Sequence, residues 1–174
     1  MRLRPLRPED DADLLRVFSD DAHLRYWSHG ALDGLDAARR YREEIEAAVR
    51  DGASGKWAIA DASDRLIGTV SLYAWSQQNR RGEIGYALSP DHAGRGLARE
   101  AVRTLLRFAF ETLDLHRIEA DVDPENGGSI RLLERLGFRY EGRLRERWFT
   151  FGSWKDSLVY GLLADDFVDP SPDP

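Results

Sequence analysis

Chemistry concentrates first in Gly82-Glu83-Ile84-Gly85-Tyr86-Ala87-Leu88-Ser89-Pro90-Asp91-His92-Ala93-Gly94-Arg95-Gly96-Leu97-Ala98-Arg99, where a strand passes through a glycine loop into a helix N-terminus. Backbone N–H groups in such a loop approach an anion closely and the helix dipole favours negative charge, so phosphate or pyrophosphate is the natural ligand. A plain tight turn ahead of a helix cap carries the same local signature. Three phosphate-binding classes compete for the loop. A P-loop needs Gly-Lys-Ser/Thr at the helix start, which Gly94-Arg95-Gly96-Leu97 lacks. A dinucleotide fingerprint needs Gly or Ala where Arg99 stands, although Glu119 and Asp121 lie about 20 residues on, where a ribose-binding acid belongs. Coenzyme A, with its pyrophosphate, is the third class.

The helix that follows spaces Arg95, Arg99, Arg103 and Arg107 four residues apart along one side, with Ala98, Ala101, Val102, Leu105 and Ala109 opposite. Such a stripe is the ordinary solvated face of an amphipathic helix. Arg95 and Arg99, on its first turn, are the two that fall near a bound phosphate. Two other constellations dissolve on inspection. Asp121-Val122-Asp123-Pro124-Glu125-Asn126 mimics the start of a calcium loop, but Asn126 replaces its glycine and Leu132 its bidentate Glu. His23, His29, His92 and His116 show no ligand spacing, so no metal is expected.

The elements that must position these residues are those of one domain. The chain has 174 residues, 42% of them hydrophobic, which suits a single core. Met1–Arg7 reads as a short strand, and the stretch with Leu14, Leu15 and Phe18 as a helix. A ring-rich loop, His23–Gly30, precedes a helix from about Asp36 to Arg50. Three strands follow closely, Lys56–Asp61, Leu66–Trp75 and Gly82–Leu88, and then the helix from Gly96 to about Leu113. A strand at His116–Val122, a helix at Asn126–Leu136, and two long strands near Tyr140–Phe151 and Trp154–Leu163 complete the order. Gly152-Ser153 would join the last two as a type II′ turn. Antiparallel strands ahead of one βαβ unit make an α+β fold with a mixed, mostly antiparallel sheet flanked by helices. Residues 1–167 form the expected domain, and 168–174 an acidic, proline-rich tail.

Composition excludes several classes of function. The net charge of −6 argues against a nucleic-acid partner, which asks for a basic face, and fits cationic partners better. Without cysteine the chain has no disulfide, no Cys-ligated zinc and no thiol nucleophile. No apolar run approaches the ~18 residues of a membrane span, and Met1 leads straight into charge-rich sequence, so a cytoplasmic protein without a membrane partner is expected. Of the 25 cationic side chains, all but Lys56 and Lys155 are arginines.

With these residues in view, the chain resembles the GNAT superfamily of N-acetyltransferases. Gly94-Arg95-Gly96-Leu97-Ala98 is similar to that family's coenzyme A loop, Gln/Arg-x-x-Gly-x-Gly/Ala: Gly96 and Ala98 match, while Ala93 stands at the Gln/Arg position. Glu83-Ile84-Gly85-Tyr86, His116-Arg117-Ile118-Glu119-Ala120, the run from Asp123 through Asn126, Ser129 and Leu133 to Phe138, and Trp154-Lys155-Asp156 resemble the RimJ/RimL-like branch, which acetylates ribosomal-protein N-termini. The resemblance spans Met1 to about Phe167.

It implies the acyl-CoA N-acyltransferase fold and acetyl transfer from acetyl-CoA to a primary amine by direct attack in a ternary complex. Tyr86, Ala87 and Leu88 would pair their backbone with the pantetheine arm. Gly94, Arg95, Gly96, Leu97, Ala98 and Arg99 would hold the pyrophosphate. Asn126 would hydrogen-bond the pantetheine or acetyl region, or cap its helix, or do both. A free α-amine, with pKa ~7.7–8.0, needs only modest help to lose its proton. Glu83 is the candidate base, acting directly or through water. Many relatives protonate the leaving thiolate with a tyrosine four residues beyond Ser129; Leu133 stands there, so Ser129 takes that expectation, with Tyr86 and Tyr140 as weaker choices. Tyr26, Trp27 and His29, with Trp148, Phe149 and Trp154, would line the acceptor channel. A protein N-terminus is the first acceptor expected; a small amine such as a polyamine, amino acid or antibiotic, or non-catalytic acyl-CoA binding, is the alternative. A homodimer is also compatible with the resemblance.

Overall fold

Seven strands assemble into one sheet, and the computed structural model describes residues 1–27, 30–52 and 54–168. The strands are β1 (Arg2–Arg4), β2 (Gly55–Ala60), β3 (Leu66–Ser76), β4 (Arg81–Leu88), β5 (Arg117–Val122), β6 (Arg139–Thr150) and β7 (Ser153–Leu163), in the spatial order β1-β2-β3-β4-β5-β7-β6. Only β4 and β5 run parallel; every other neighbouring pair is antiparallel. The expected α+β class and mixed, mostly antiparallel sheet are what the chain forms.

Strand alternation sends residues to two cores. Val70, Leu72, Ile84, Ile118, Ala120 and Val122 pack on one face against Ala101, Val102 and Leu105 of α4 (Leu97–Arg107) and Leu133 of α5 (Gly127–Arg135). Ala58 and Ala87 point to the other face, against Leu14, Val17 and Phe18 of α1 (Asp11–Phe18) and Ala38 and Ile45 of α3 (Leu35–Arg50). A short helix, α2 (Asp21–Leu24), lies between α1 and α3. Burial of this kind is worth ~25 cal/mol per Å² of apolar surface and drives both contacts.

The parallel pair carries the feature that matters for function. β4 and β5 pair only through Arg81↔Arg117, Gly82↔Ile118 and Glu83↔Glu119, whereas β4 stays paired with β3 as far as Leu88. β5 meanwhile follows β7 to Val122↔Leu158. From Ile84 onward the two strands therefore part, and the β4 edge on that side has no strand partner among the described residues.

An ionic clamp fastens the N-terminal strand. Arg4 and Asp10 are 6% and 4% exposed and share two hydrogen bonds of 2.7 Å. Asp64, in the β2–β3 turn, meets Arg2, Arg4 and Arg7 together.

Several local expectations shift. The opening strand stops at Arg4, because Pro5 cannot donate to the ladder. The ring-rich loop begins with the helical turn of α2. The long helix becomes a π turn over Phe108–Thr112 after α4. The last hairpin turns one residue earlier than expected: Thr150 pairs with Ser153, and Phe151 and Gly152 have φ of 50° and 74°. Two positive φ values make it a type I′ turn, whose twist suits a hairpin as well as type II′ does; Gly152 fills its second position.

Candidate active site

The opening between β4 and β5 widens into a cavity of about 490 Å³. Its walls come from both sides of the sheet. Tyr86, Asn126 and Ser129 line it on the α5 side; Lys56, Ser71, Tyr73 and Asp121 line it on the α3 side, where Tyr41 and Glu44 close over it. Arg25, Tyr26 and Trp27 form one rim, and Trp148, Lys155, Asp156 and Ser157 of the hairpin another. The Tyr26 hydroxyl donates to the Glu125 carbonyl at 3.0 Å, which ties the ring-rich loop to the β5–α5 turn across the mouth.

At the far end of β4 the chain enters α4 through Gly94 and Gly96, with φ of 75° and 76°. This left-handed backbone favours glycine, and a Cβ at either position would meet nothing within 4 Å, so the constraint is conformational and the surface open. Gly96 caps α4 with no side-chain hydrogen bond, leaving the first-turn N–H groups to a ligand or water. Arg95 and Arg99 are exposed beside it. An uncapped helix start suits a pyrophosphate, and the open β4 edge offers alternating N–H and C=O to an amide-bearing arm. Both features fit coenzyme A.

Inside the cavity Tyr86 Oη and Ser129 Oγ lie 2.5 Å apart. Burial pushes the Tyr86 hydroxyl up to about 12, with the Ser129 hydrogen bond opposing, so it stays protonated and able to donate. Asn126 Oδ1 accepts from the Ser129 N–H at 3.1 Å and caps α5, leaving its NH₂ as the donor it can offer a ligand. Leu133 is fully buried in the core and takes no part in the cavity. Tyr140 is 55% exposed on β6, packed on the Tyr160 ring, and is no candidate donor.

Glu83 does not line the cavity; it sits where the β4–β5 pairing ends, opposite Tyr73 and Glu119. Its carboxyl is raised above the usual carboxylate range by burial, then by the nearby Asp121 and Glu119 charges, with Arg81 and Arg147 opposing. Arg81 Nη1 is 3.9 Å from it and 3.0 Å from Glu119, which also bonds Arg117 at 2.7 Å. Arg117 in turn pairs with Glu141. The carboxyl thus ends an ion-pair row reaching from β4 to β6.

Six of the expected residues gather here. Tyr26, Trp27, Tyr86, Asn126, Ser129 and Trp148 line one cavity. Ala87 and Leu88 face opposite cores, so only their backbone can serve the opening. His29 lies outside the described residues. Trp154 is corrected: it is 60% exposed and stacked with Phe149, whereas its neighbour Lys155, paired with Trp148, takes the cavity side. Period-two alternation allows only one of the two residues to face inward.

Lys56, Tyr41 and Ser157 went unrecognised in the sequence. Lys56 Nζ is 2.6 Å from Tyr41 Oη and over its ring, and burial lowers the ammonium to about 8. The signal available was a lysine inside a strand in a chain that otherwise uses arginine. Ser157 is 1% exposed, and its hydroxyl has no partner among the described residues. Leaving such a group unpaired costs ~1–3 kcal/mol, which a polar ligand in the cavity would recover.

Comparison with known proteins agrees with this geometry. Residues 1–139 match the acetyltransferase (GNAT) domain family. The chain is 32% identical over 162 residues to the N-acetyltransferase YoaA of Bacillus subtilis, covering 92% of each. It is 37% identical over 172 residues to a putative ribosomal N-acetyltransferase, YdaF, of the same organism, covering 95% of this chain and 92% of that one. Its structure resembles that of spermidine N-acetyltransferase from Vibrio cholerae in complex with CoA and spermine, with a TM-score of 0.84, 28% identity, and 95% and 96% of the two chains covered.

Proposed function

The chain belongs to the GNAT acetyltransferase family and is an acetyl-CoA-dependent N-acetyltransferase; on that premise we propose that its acceptor is the α-amine of a peptide, most simply a protein N-terminus. The observation that carries this reading is the cationic share of the cavity wall: Arg25, Lys56 and Lys155 stand among the carboxylates Glu44, Asp121, Asp123 and Asp156. Asp156 is bound to Arg143, and Asp121 lies 3.5 Å from Arg147. A buried lysine repels a polycation but suits the carbonyl beside a peptide α-amine. The wall aromatics would hold the first side chains.

Acetyl-CoA supplies an acyl thioester; the protein's residues do the rest. Backbone N–H groups from Gly94 to Ala98 hold the pyrophosphate, with Arg95 and Arg99 beside them, and the β4 edge from Ile84 to Leu88 pairs with the pantetheine amides. Asn126 holds the acyl end through its NH₂. Glu83, its carboxyl raised by burial and by the nearby Asp121 and Glu119 charges, accepts the amine proton through water. Tyr86, backed by Ser129, gives a proton to the departing thiolate.

A second reading has its own support. The likeness to a spermidine acetyltransferase, together with the four wall carboxylates, favours a polyamine. Thiol release measured with free peptides, N-blocked peptides and spermidine separates the two: the α-amine reading expects the free peptides to turn over fastest, and a preference for spermidine would replace it. Either acceptor requires that no buried charge be left unpaired once the amine binds.

A further inference from the structure

Asp156 lines the cavity, yet both of its carboxylate oxygens are engaged by the neighbouring strand β6. Oδ1 accepts from the Glu146 N–H at 2.9 Å, and Oδ2 from Arg143 Nε at 2.6 Å. The Glu146 N–H, and then the Arg143 guanidinium, hold the Asp156 carboxyl below the usual carboxylate range, so both oxygens remain acceptors.

The hairpin register shows what this carboxylate holds. Leu144 pairs with Ser157 and Trp148 with Lys155, so Arg145, Glu146 and Arg147 stand opposite the single residue Asp156. β6 thus carries two residues more than β7 matches, which is a bulge. Even pairing beyond Leu144 would set Glu146 opposite Lys155, and the two charges would attract across the cavity mouth. The bulge puts the Trp148 ring in that place instead. The ladder on either side requires the extra residues to be absorbed, but it does not choose where. Asp156 does so, because the N–H that it accepts belongs to the middle residue of the bulge. Glu146 has φ 52°, left-handed backbone that is unfavourable for any side chain beyond glycine. The bulge also redirects Arg147. Regular alternation would turn Arg147 away from the face that Trp148 occupies. Its guanidinium lies instead 5.3 Å from the Trp148 ring centroid, with Nε 3.5 Å from Asp121 on β5. The ring at the cavity rim is therefore backed by a cation anchored on β5.

We propose that Asp156 is a positioning residue for acceptor binding: it pins the β6 bulge at Glu146 and so sets Trp148 and Arg147 at the cavity rim, acting through them without touching the acceptor. The inference rests on the cavity being the acceptor site. The donor elements, the β4 edge and the loop from Gly94 to Ala98, lie on other parts of the chain and do not depend on the bulge.

The test measures KM by thiol release for acetyl-CoA and for an acceptor: a short peptide with a free amino terminus or spermidine, whichever the wild type turns over faster. Asp156→Ala should raise the acceptor KM at least about tenfold, as misplaced binding groups do, and leave the KM for acetyl-CoA within about twofold. Asp156→Asn keeps an oxygen for the Glu146 N–H and should stay within about threefold of wild type. Glu146→Gly, which takes a left-handed backbone without strain, should recover most of the acceptor KM when added to Asp156→Ala. Arg147→Ala removes a side chain that is 47% exposed, so the fold should tolerate it, and it should raise the acceptor KM several-fold. An unchanged acceptor KM in Arg147→Ala would overturn the proposal even if Asp156→Ala did not fold. Equal increases of both KM values in Asp156→Ala, or none, would also overturn it. So would equal losses in the Ala and Asn variants without rescue by Glu146→Gly, the pattern of a carboxylate that binds the acceptor's ammonium itself. Each of these outcomes leaves the functional reading intact, whereas a wild-type protein that releases thiol with neither amine ends both.

Discussion

Replacing Tyr86 with Phe removes one oxygen from the cavity and leaves the ring, so its effect isolates the proton that this hydroxyl is proposed to deliver. Tyr86 Oη is 2.5 Å from Ser129 Oγ, and burial holds it at about 12, well above a thiol of the cysteine type at ~8.5. The hydroxyl is therefore protonated throughout the working range and is available to hydrogen-bond the thiolate as it forms. General acid catalysis contributes ~10²–10⁴-fold, and a thiolate is already a good leaving group, so the low end applies: kcat should fall about 10²-fold, or about 2.7 kcal/mol. The lost hydrogen bond should cost the fold only about 1 kcal/mol, too little to unfold the domain. KM for acetyl-CoA should barely move, because the phenol acts on the leaving group. Ser129→Ala should lose a similar factor, and the double variant little more than either alone, since groups acting as a unit are not additive. The assay is continuous thiol release at saturating donor, with thermal melts as the control for folding. An unchanged kcat in Tyr86→Phe, or losses that multiply in the double variant, would refute the pairing.

Three further outcomes follow from the same geometry. Glu83 is the proposed base and its carboxyl is raised, so turnover should fall as pH drops through that raised value. Glu83→Gln should lose the acidic limb and ~10²-fold in rate, and a wild-type pH profile in the variant would dismiss Glu83. Gly96→Val places a β-branched residue at φ 76°, which should disrupt the α4 entrance and raise KM for acetyl-CoA at least about tenfold; an unaltered KM would move the pyrophosphate elsewhere. Arg4→Ala strands Asp10, which is 4% exposed, and should lower stability by ~3–5 kcal/mol in denaturant titration, a loss of under 1 kcal/mol being incompatible with the buried pair.

The elements that position the site were legible because periodicity reports burial. β4 alternates between two cores, and α4 buries Ala101, Val102 and Leu105 opposite its arginines, as their spacing requires. The glycine entry to α4 and the Asn126 cap were legible for the same local reason: each depends on a conformation or bond within a few residues. What the sequence could not convey depends on register and on pairs distant along the chain. The parting of β4 from β5 arises because each follows a different neighbour. Lys56 and Tyr41 meet only once β2 and α3 are packed, and Tyr86 and Ser129 are 43 residues apart. Trp154 was misplaced because a string of aromatics does not say which strand face each occupies, and the hairpin turn fell one residue away from the glycine reading.

The central claim is that the opening between β4 and β5 receives the acetyl donor with its sulfur beside the Tyr86–Ser129 pair. A crystal structure with coenzyme A bound tests it most directly. The account expects the pyrophosphate on the N–H groups of Gly94 to Ala98, the pantetheine amides hydrogen-bonded along Ile84 to Leu88, and the sulfur within hydrogen-bonding reach of Tyr86 Oη. Coenzyme A bound with its pantetheine outside the opening, or its sulfur remote from Tyr86, would contradict it.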